Sequence, residues 1–112
     1  MIRVLLDEDI PIRLRTHFPE GVEVETVEYR GWKGLKNGAL LTAASAVFDA
    51  LVTTDDNLPE QQNLAAYDLA VLVLRPSSKR MDDLLPLMPE ILENLRTLHP
   101  GTAVRIQPAQ TD

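Results

Sequence analysis

Short apolar runs, each ended by polar residues, recur along the chain and predict several β-strands. Such runs, when rich in branched side chains, are typical of strands buried in a sheet. Clean alternation of apolar and polar residues predicts a half-exposed strand at 22–27, and the uninterrupted run at 69–74 predicts a central one. A fifth short run, at 102–106, predicts a strand at the edge of the sheet. The predicted strands are 2–6, 22–27, 50–54, 69–74 and 102–106.

Between these runs, apolar residues recur at the spacing typical of an α-helix. Helices are predicted from about residue 10 to 18, over 39–48 and over 81–98, with a helical turn after Pro59. Pro86 and Pro89 predict a kink or a late start in the long third helix. Three of the five glycines fall in residues 29–38, which are predicted to form a loop. Alternating strands and helices predict right-handed crossovers and a mainly parallel α/β sheet of four or five strands.

Length and composition indicate one ordinary globular domain. The chain has 112 residues, 45% apolar and 25% charged, and we expect a single domain over 1–107 with a flexible tail at 108–112. The absence of cysteine excludes a disulfide framework and thiolate metal sites. No apolar stretch is long enough to cross a membrane and no secretory leader opens the chain, so a cytoplasmic location is expected.

The formal net charge of −6 argues against broad, non-specific binding to nucleic acid. It still permits an RNA partner, because bound metal would cancel part of the charge. Any basic contact surface must come from a few residues in two segments. These are Arg30, Lys33 and Lys36 in one segment, and Arg75, Lys79 and Arg80 in the other.

Acidic clusters follow two of the predicted strands and are the clearest indication of chemistry. Residues 7–9 read Asp-Glu-Asp after the first strand, and Asp55 and Asp56 follow the third. Ligands of open α/β sheets bind beyond the carboxyl ends of the strands. If the two strands are neighbours, the crowded carboxylates repel one another unless they are protonated or neutralised by a cation. A Mg²⁺ or Mn²⁺ ion suits such an all-oxygen site.

Each cluster also has a purely structural interpretation. Asp9 is a candidate helix cap, with Asp7 and Glu8 favouring the positive end of the same helix. The residues around Asp55 and Asp56, before Pro59, are ordinary turn formers. Capping does not explain Asp7, and the recurrence of acids at two strand ends favours a shared site.

Several segments in their order resemble a short bacterial branch of the PIN-like superfamily, whose small members are described as predicted nucleases. The resemblance extends to about Leu95. The segments that carry it are Val4–Pro11, Arg30–Gly38, Phe48–Pro59, Gln61–Leu64 and Val71–Arg75.

The resemblance implies a three-layer α/β/α sandwich and a Mg²⁺- or Mn²⁺-dependent ribonuclease. Its metal ligands would be Asp7, Glu8, Asp55 and Asp56. Asp7, Asp55 and Asp56 would be the catalytic residues, with metal-activated water attacking the phosphodiester in line.

The remaining expectations concern substrate and partners. Thr54, Asn57, Lys33 and Lys36 are the candidate substrate-binding residues. The protein would be the toxin of a toxin–antitoxin pair, with an antitoxin or another protein as partner, and a homodimer is consistent with the resemblance.

One departure from the family pattern favours a different function. PIN nucleases carry a further acidic residue at the start of the central helix, where this chain has Asn37 and Ala39. A catalytically weakened module that binds a partner protein is therefore the alternative. A phosphoacceptor receiver domain ranks last, because Arg75 stands where that fold needs a lysine after a later strand.

Overall fold

Five parallel strands form a single sheet, as the sequence predicts. The computed structural model describes residues 1–109, and the last three residues of the predicted tail lie outside them. The sheet order is β2-β1-β3-β4-β5, with β5 paired only to β4 at one edge. The strands are β1 (Ile2–Leu6), β2 (Val22–Thr26), β3 (Ala50–Thr53), β4 (Ala70–Leu74) and β5 (Ala103–Ile106).

The helices are shorter than the sequence pattern predicts. The predicted first helix is a 3₁₀ segment over Ile12–His17. The predicted helix over 81–98 is broken at its prolines into two helices, with a 3₁₀ turn at Leu85–Leu87 between them. The α-helices are α1 (Asn37–Ser45), α2 (Leu58–Gln61), α3 (Met81–Leu84) and α4 (Met88–Leu95).

Helices cover both faces of the sheet, which gives three layers. Side chains alternate between the faces of a strand. Leu6 and Val52 therefore pack with α3, α4 and the first 3₁₀ segment, while Leu5 and Leu51 pack with α1 and α2 on the other side. Within residues 1–109 no helix is long and apolar enough to span a membrane.

The strand order reverses between β1 and β3, and this reversal positions the site. The chain passes from β1 to β2 on one side, then crosses back to place β3 on the other side of β1. Leu6 is paired with Val52, and the Asp7 amide donates a hydrogen bond of 2.9 Å to the Val52 carbonyl. Open α/β sheets bind ligands at such a switch point, beyond the carboxyl ends of the strands.

Candidate functional site

Asp7 lies directly after β1 as a partly buried carboxylate. One carboxylate oxygen accepts a 2.7 Å hydrogen bond from the Thr53 hydroxyl, and the other accepts a 2.8 Å bond from the Glu8 amide. Burial raises the pKa of Asp7 above its ordinary value of 3.8, although both hydrogen bonds act in the opposite direction. No cationic side chain within residues 1–109 forms a salt bridge with it. Asp7 is thus an acid whose negative charge is costly as it stands.

The capping interpretation of the first acidic cluster is not supported. Pro11 precedes the 3₁₀ segment, and no side chain caps that segment. The Asp9 carboxylate instead lies 3.1 Å from the Lys79 ammonium group. Neither Asp7 nor Asp9 therefore caps a helix.

Asp55, in the loop after β3, lines the same cavity as Asp7. Its Oδ1 accepts a 3.1 Å hydrogen bond from the Asn57 amide, and its Oδ2 accepts a 3.2 Å bond from the Asn37 side-chain amide. The Thr53 hydroxyl connects the two acids, because it donates to Asp7 and accepts from the Asp55 backbone amide at 3.1 Å. The turn around Asp55 is therefore real, and it also holds the carboxylate beside Asp7.

A cavity of about 140 Å³ brings these groups together. We call it the acidic crevice. Its polar lining consists of Asp7, Glu8, Asp9, Asn37 and Asp55, and its apolar wall consists of Val27, Trp32, Leu35 and Leu40.

The loop that carries Trp32 is packed firmly against the domain. The Trp32 ring meets the Phe48 ring edge-on, with centroids 6.1 Å apart. The Arg30 guanidinium lies over both rings, 5.6 and 5.1 Å from their centroids, and makes two hydrogen bonds to Glu25 at 2.8 and 3.0 Å. Trp32 is consequently a partly buried wall of the crevice.

Five other predicted site residues lie outside the acidic crevice. The Asp56 carboxylate lies 3.1 Å from Arg105 and 3.5 Å from Arg75, and it lines a neighbouring cleft together with Thr54. Lys33 and Lys36 are exposed on the loop before α1 and form no salt bridge within residues 1–109. Asn57 is exposed and contributes its backbone amide to Asp55.

Sequence reasoning gave no role to two residues that the structure places at the crevice. Thr53, rather than Thr54, joins the two acids. The strand register contains the signal for this, because pairing of Leu6 with Val52 sets Asp7 beside Thr53. The sequence pattern marks Asn37 as a position without an acid, but not as a hydrogen-bond donor. As the first residue of α1, it donates its side-chain amide to Asp55.

The donor set fits a hard divalent ion held partly by solvent. No group of three or more His, Cys, Asp or Glu side chains within residues 1–109 is placed to hold a metal. Mg²⁺, however, is commonly bound through one or two carboxylates together with water and substrate phosphates. Asp7 and Asp55, each with free lone pairs, fit that mode of binding.

Comparison of the chain with models of protein families, with curated proteins and with solved structures found no match. The PIN-like resemblance therefore rests on the sequence segments of this chain alone.

Proposed function

We propose that the protein is a Mg²⁺- or Mn²⁺-dependent ribonuclease of the PIN-like type. The observation that carries the proposal is the pairing of Asp7 and Asp55 across the switch point, joined by the Thr53 hydroxyl. The raised pKa of Asp7 supports it, because burial disfavours the ionised carboxylate and a cation in the crevice would stabilise that form. The order of the PIN-like segments in the sequence supports it as well.

The side chains of the crevice would orient the reacting groups. A bound divalent ion would supply the charge that polarises a phosphodiester and lowers the pKa of a nearby water. Asp7 and Asp55 would hold it, each fixed by its own hydrogen bonds to Thr53 or the Asn57 amide. The wall around Trp32 would limit access of bulk water from one side. In-line attack by the water would leave a 5′-phosphate and a 3′-hydroxyl.

A catalytically weakened module that binds a partner protein is the second candidate. The specific observation in its favour is Asn37, whose neutral amide contacts Asp55 where the family pattern has an acid. Within residues 1–109, no three His, Cys, Asp or Glu side chains are placed to hold one metal ion together, which agrees with this candidate. In this case the crevice would bind a metal weakly and would not cleave RNA.

Calorimetric titration with Mn²⁺ tests the proposal. We expect one binding event in the wild type and a loss of affinity of roughly tenfold or more in Asp7→Asn and in Asp55→Asn. Glu23→Gln is the matched control, because it removes one carboxylate from the exposed edge strand β2 and leaves the crevice intact.

Cleavage of a fluorescently labelled single-stranded RNA, followed in Mn²⁺ and in EDTA, completes the test. Cleavage that needs Mn²⁺ and is lost in both crevice variants would support the nuclease. Metal binding without cleavage would favour the weakened module. Equal Mn²⁺ affinity in the wild type and Asp7→Asn would reject the crevice as a metal site.

A further inference from the structure

A second cleft lies beside the acidic crevice at the same edge of the sheet. It has a volume of about 360 Å³ and is formed by the loops after β3 and β4. Thr54, Asp56, Arg75, Ser77 and Lys79 are among its lining residues. We call it the basic cleft, because two of its three charged side chains are cations.

Arg75 lines this cleft, and the N–H groups of its guanidinium lack hydrogen-bond partners in the described part of the chain. Its closest acidic contact is Asp56 at 3.5 Å, and none of its side-chain N–H groups makes a hydrogen bond within residues 1–109. Asp56 is instead bound by Arg105, through a 3.1 Å hydrogen bond to its carboxylate and a 3.2 Å bond to its carbonyl. Because Arg105 supplies the hydrogen bonds to Asp56, the side-chain N–H groups of Arg75 are available to a ligand, although Asp56 still attracts the charge of Arg75. A guanidinium group matches the geometry of a phosphate.

The Thr54 hydroxyl is a second, independent indication that a ligand binds in this cleft. Its hydroxyl oxygen is buried and has no hydrogen-bond partner within residues 1–109. A buried hydroxyl without a partner destabilises a fold, so such groups are normally satisfied by protein, water or ligand. Because Thr54 lines the basic cleft, rotation of its side chain would let this hydroxyl donate to a phosphate oxygen there.

Lys79 connects the two sites. Lys79 lines the basic cleft, and its ammonium group donates one 3.1 Å hydrogen bond to Asp9, which lines the acidic crevice. Two of its three donors remain for other partners. Thr54 and Asp55, adjacent in sequence, likewise face the two sites. A phosphate in the basic cleft would thus be a near neighbour of one in the crevice.

We propose that the basic cleft binds a backbone phosphate of RNA next to the phosphodiester that is cleaved, through Arg75, Lys79 and the Thr54 hydroxyl. The inference rests on the proposed function for the identity of the polymer. The sequence indicates Arg75 and Lys79 as part of one of two basic segments, but the cations expected to bind substrate are Lys33 and Lys36, in the other segment. Phosphate binding here also gives Asp56 a new role, as a carboxylate that competes with the phosphate for Arg75.

Binding of a labelled single-stranded RNA, measured by fluorescence anisotropy in EDTA at several salt concentrations, tests the cleft without relying on the metal site. We expect Arg75→Gln and Lys79→Gln each to weaken binding by roughly three- to tenfold. Each should also lower the slope of log K against log salt by about 0.7, the value for one phosphate contact on a single strand.

Two further variants separate this role from simple loss of charge or fold. Thr54→Val keeps the shape and all charges, so we expect a higher melting temperature together with binding weakened by about threefold. Asp56→Asn should strengthen binding, since it removes the competing carboxylate. Arg96→Gln is the matched control, because exposed Arg96 follows α4 near the opposite edge of the sheet and should bind RNA as the wild type does.

The outcomes of the two proposals can be told apart. Wild-type binding that is unchanged by Thr54→Val, Arg75→Gln and Lys79→Gln would overturn the cleft even if Mn²⁺-dependent cleavage occurs. An equal loss in Arg96→Gln would overturn it by showing a general charge effect, and so would the absence of RNA binding. Binding with the expected pattern but no cleavage would retain the cleft and reject the nuclease.

Discussion

Asn37 is the residue whose lack of charge most limits metal binding in the acidic crevice. It is the first residue of α1, and its side-chain amide donates to Asp55 at 3.2 Å. A carboxylate at this position would add a third metal-binding acid to Asp7 and Asp55. It would also lie in the first turn of a helix, where negative charge is favourable by about 0.3–1 kcal/mol.

Asn37→Asp should therefore increase metal affinity. We expect Mn²⁺ to bind about tenfold more tightly than in the wild type, because a third carboxylate ligand raises the charge of the site. Without metal, repulsion from Asp55 should lower the free energy of unfolding by less than about 1 kcal/mol, since the helix terminus offsets part of the cost. Calorimetry and thermal melts with and without Mn²⁺ measure both effects.

Asn63→Asp is the control for this prediction, because Asn63 is exposed after α2 and lies outside the crevice. A similar gain in affinity in the control would indicate general electrostatic attraction. An unchanged Mn²⁺ affinity in Asn37→Asp would show that α1 does not contribute to a metal site.

The paired acids illustrate how far residue roles could be predicted from the sequence. The proximity of Asp7 and Asp55 is predictable on the condition that their strands are neighbours, because the carboxyl ends of neighbouring parallel strands lie together whatever the side-chain details. The placement of Asp56 could not be predicted in this way. Its direction depends on Arg75 after β4 and Arg105 in β5, which are distant in sequence and act only in the folded sheet. Thr53 and Thr54 differ by one position, and the register alone decides which of them meets Asp7.

At the scale of elements, strands were more predictable than helices. Apolar runs define the buried strands directly, and all five are present in parallel pairing. Helix bounds depend on local competition. The missing side-chain cap before Ile12 and the prolines within 85–89 leave short 3₁₀ and α segments where periodicity predicts longer helices.

The loop from β2 to α1 depends on one ion-paired cluster. Glu25 binds Arg30 through both carboxylate oxygens and lies 3.3 Å from Arg3, while Arg30 covers Trp32. The hydrogen bond from Arg30 is the main reason that the pKa of Glu25 lies below its ordinary value of 4.5. This cluster therefore stabilises the fold above that pH, and its contribution is lost as the pH falls through the lowered pKa.

Glu25→Gln should loosen this wall of the crevice. We expect a loss of about 1 kcal/mol in the free energy of unfolding at neutral pH, the upper end for an exposed ion pair. The loss should disappear at acidic pH, where Glu25 is protonated in the wild type. Trp32 is the only tryptophan, so acrylamide quenching of its fluorescence reports the loop directly and should increase.

Glu23→Gln is again the control, since the salt bridge that Glu23 forms in the described part of the chain is with Arg3, at 3.2 Å, and not with Arg30. Equal quenching in the two variants would show that the Glu25 pair does not hold the loop. A loss of stability that persists at acidic pH would point to packing rather than charge.

At the scale of the whole molecule, Asp7 couples the site to the stability of the fold. Its pKa is raised in the folded state, chiefly by burial, so the folded protein binds this proton more tightly than the unfolded chain does. Stability contributed at this position therefore decreases as the pH rises from about the ordinary value of 3.8 through the raised pKa. At neutral pH the full cost is present, and a bound cation would offset it.

Asp7→Asn should for this reason be more stable than the wild type in EDTA at neutral pH, by about 1 kcal/mol. The difference should vanish below the ordinary pKa, where Asp7 is protonated in both states. Saturating Mn²⁺ should reverse the order, because metal at 100 times its Kd adds about 2.7 kcal/mol to the wild type alone. Urea unfolding across pH, with and without Mn²⁺, measures all three effects, and exposed Asp68→Asn should show none of them.

Two outcomes would contradict this coupling between Asp7 and the metal site. If Asp7→Asn is less stable than the wild type in EDTA, the hydrogen bonds to Asp7 outweigh the cost of its burial. If Asp7→Asn is more stable in EDTA and Mn²⁺ does not reverse the order, Asp7 is a buried acid that binds no metal.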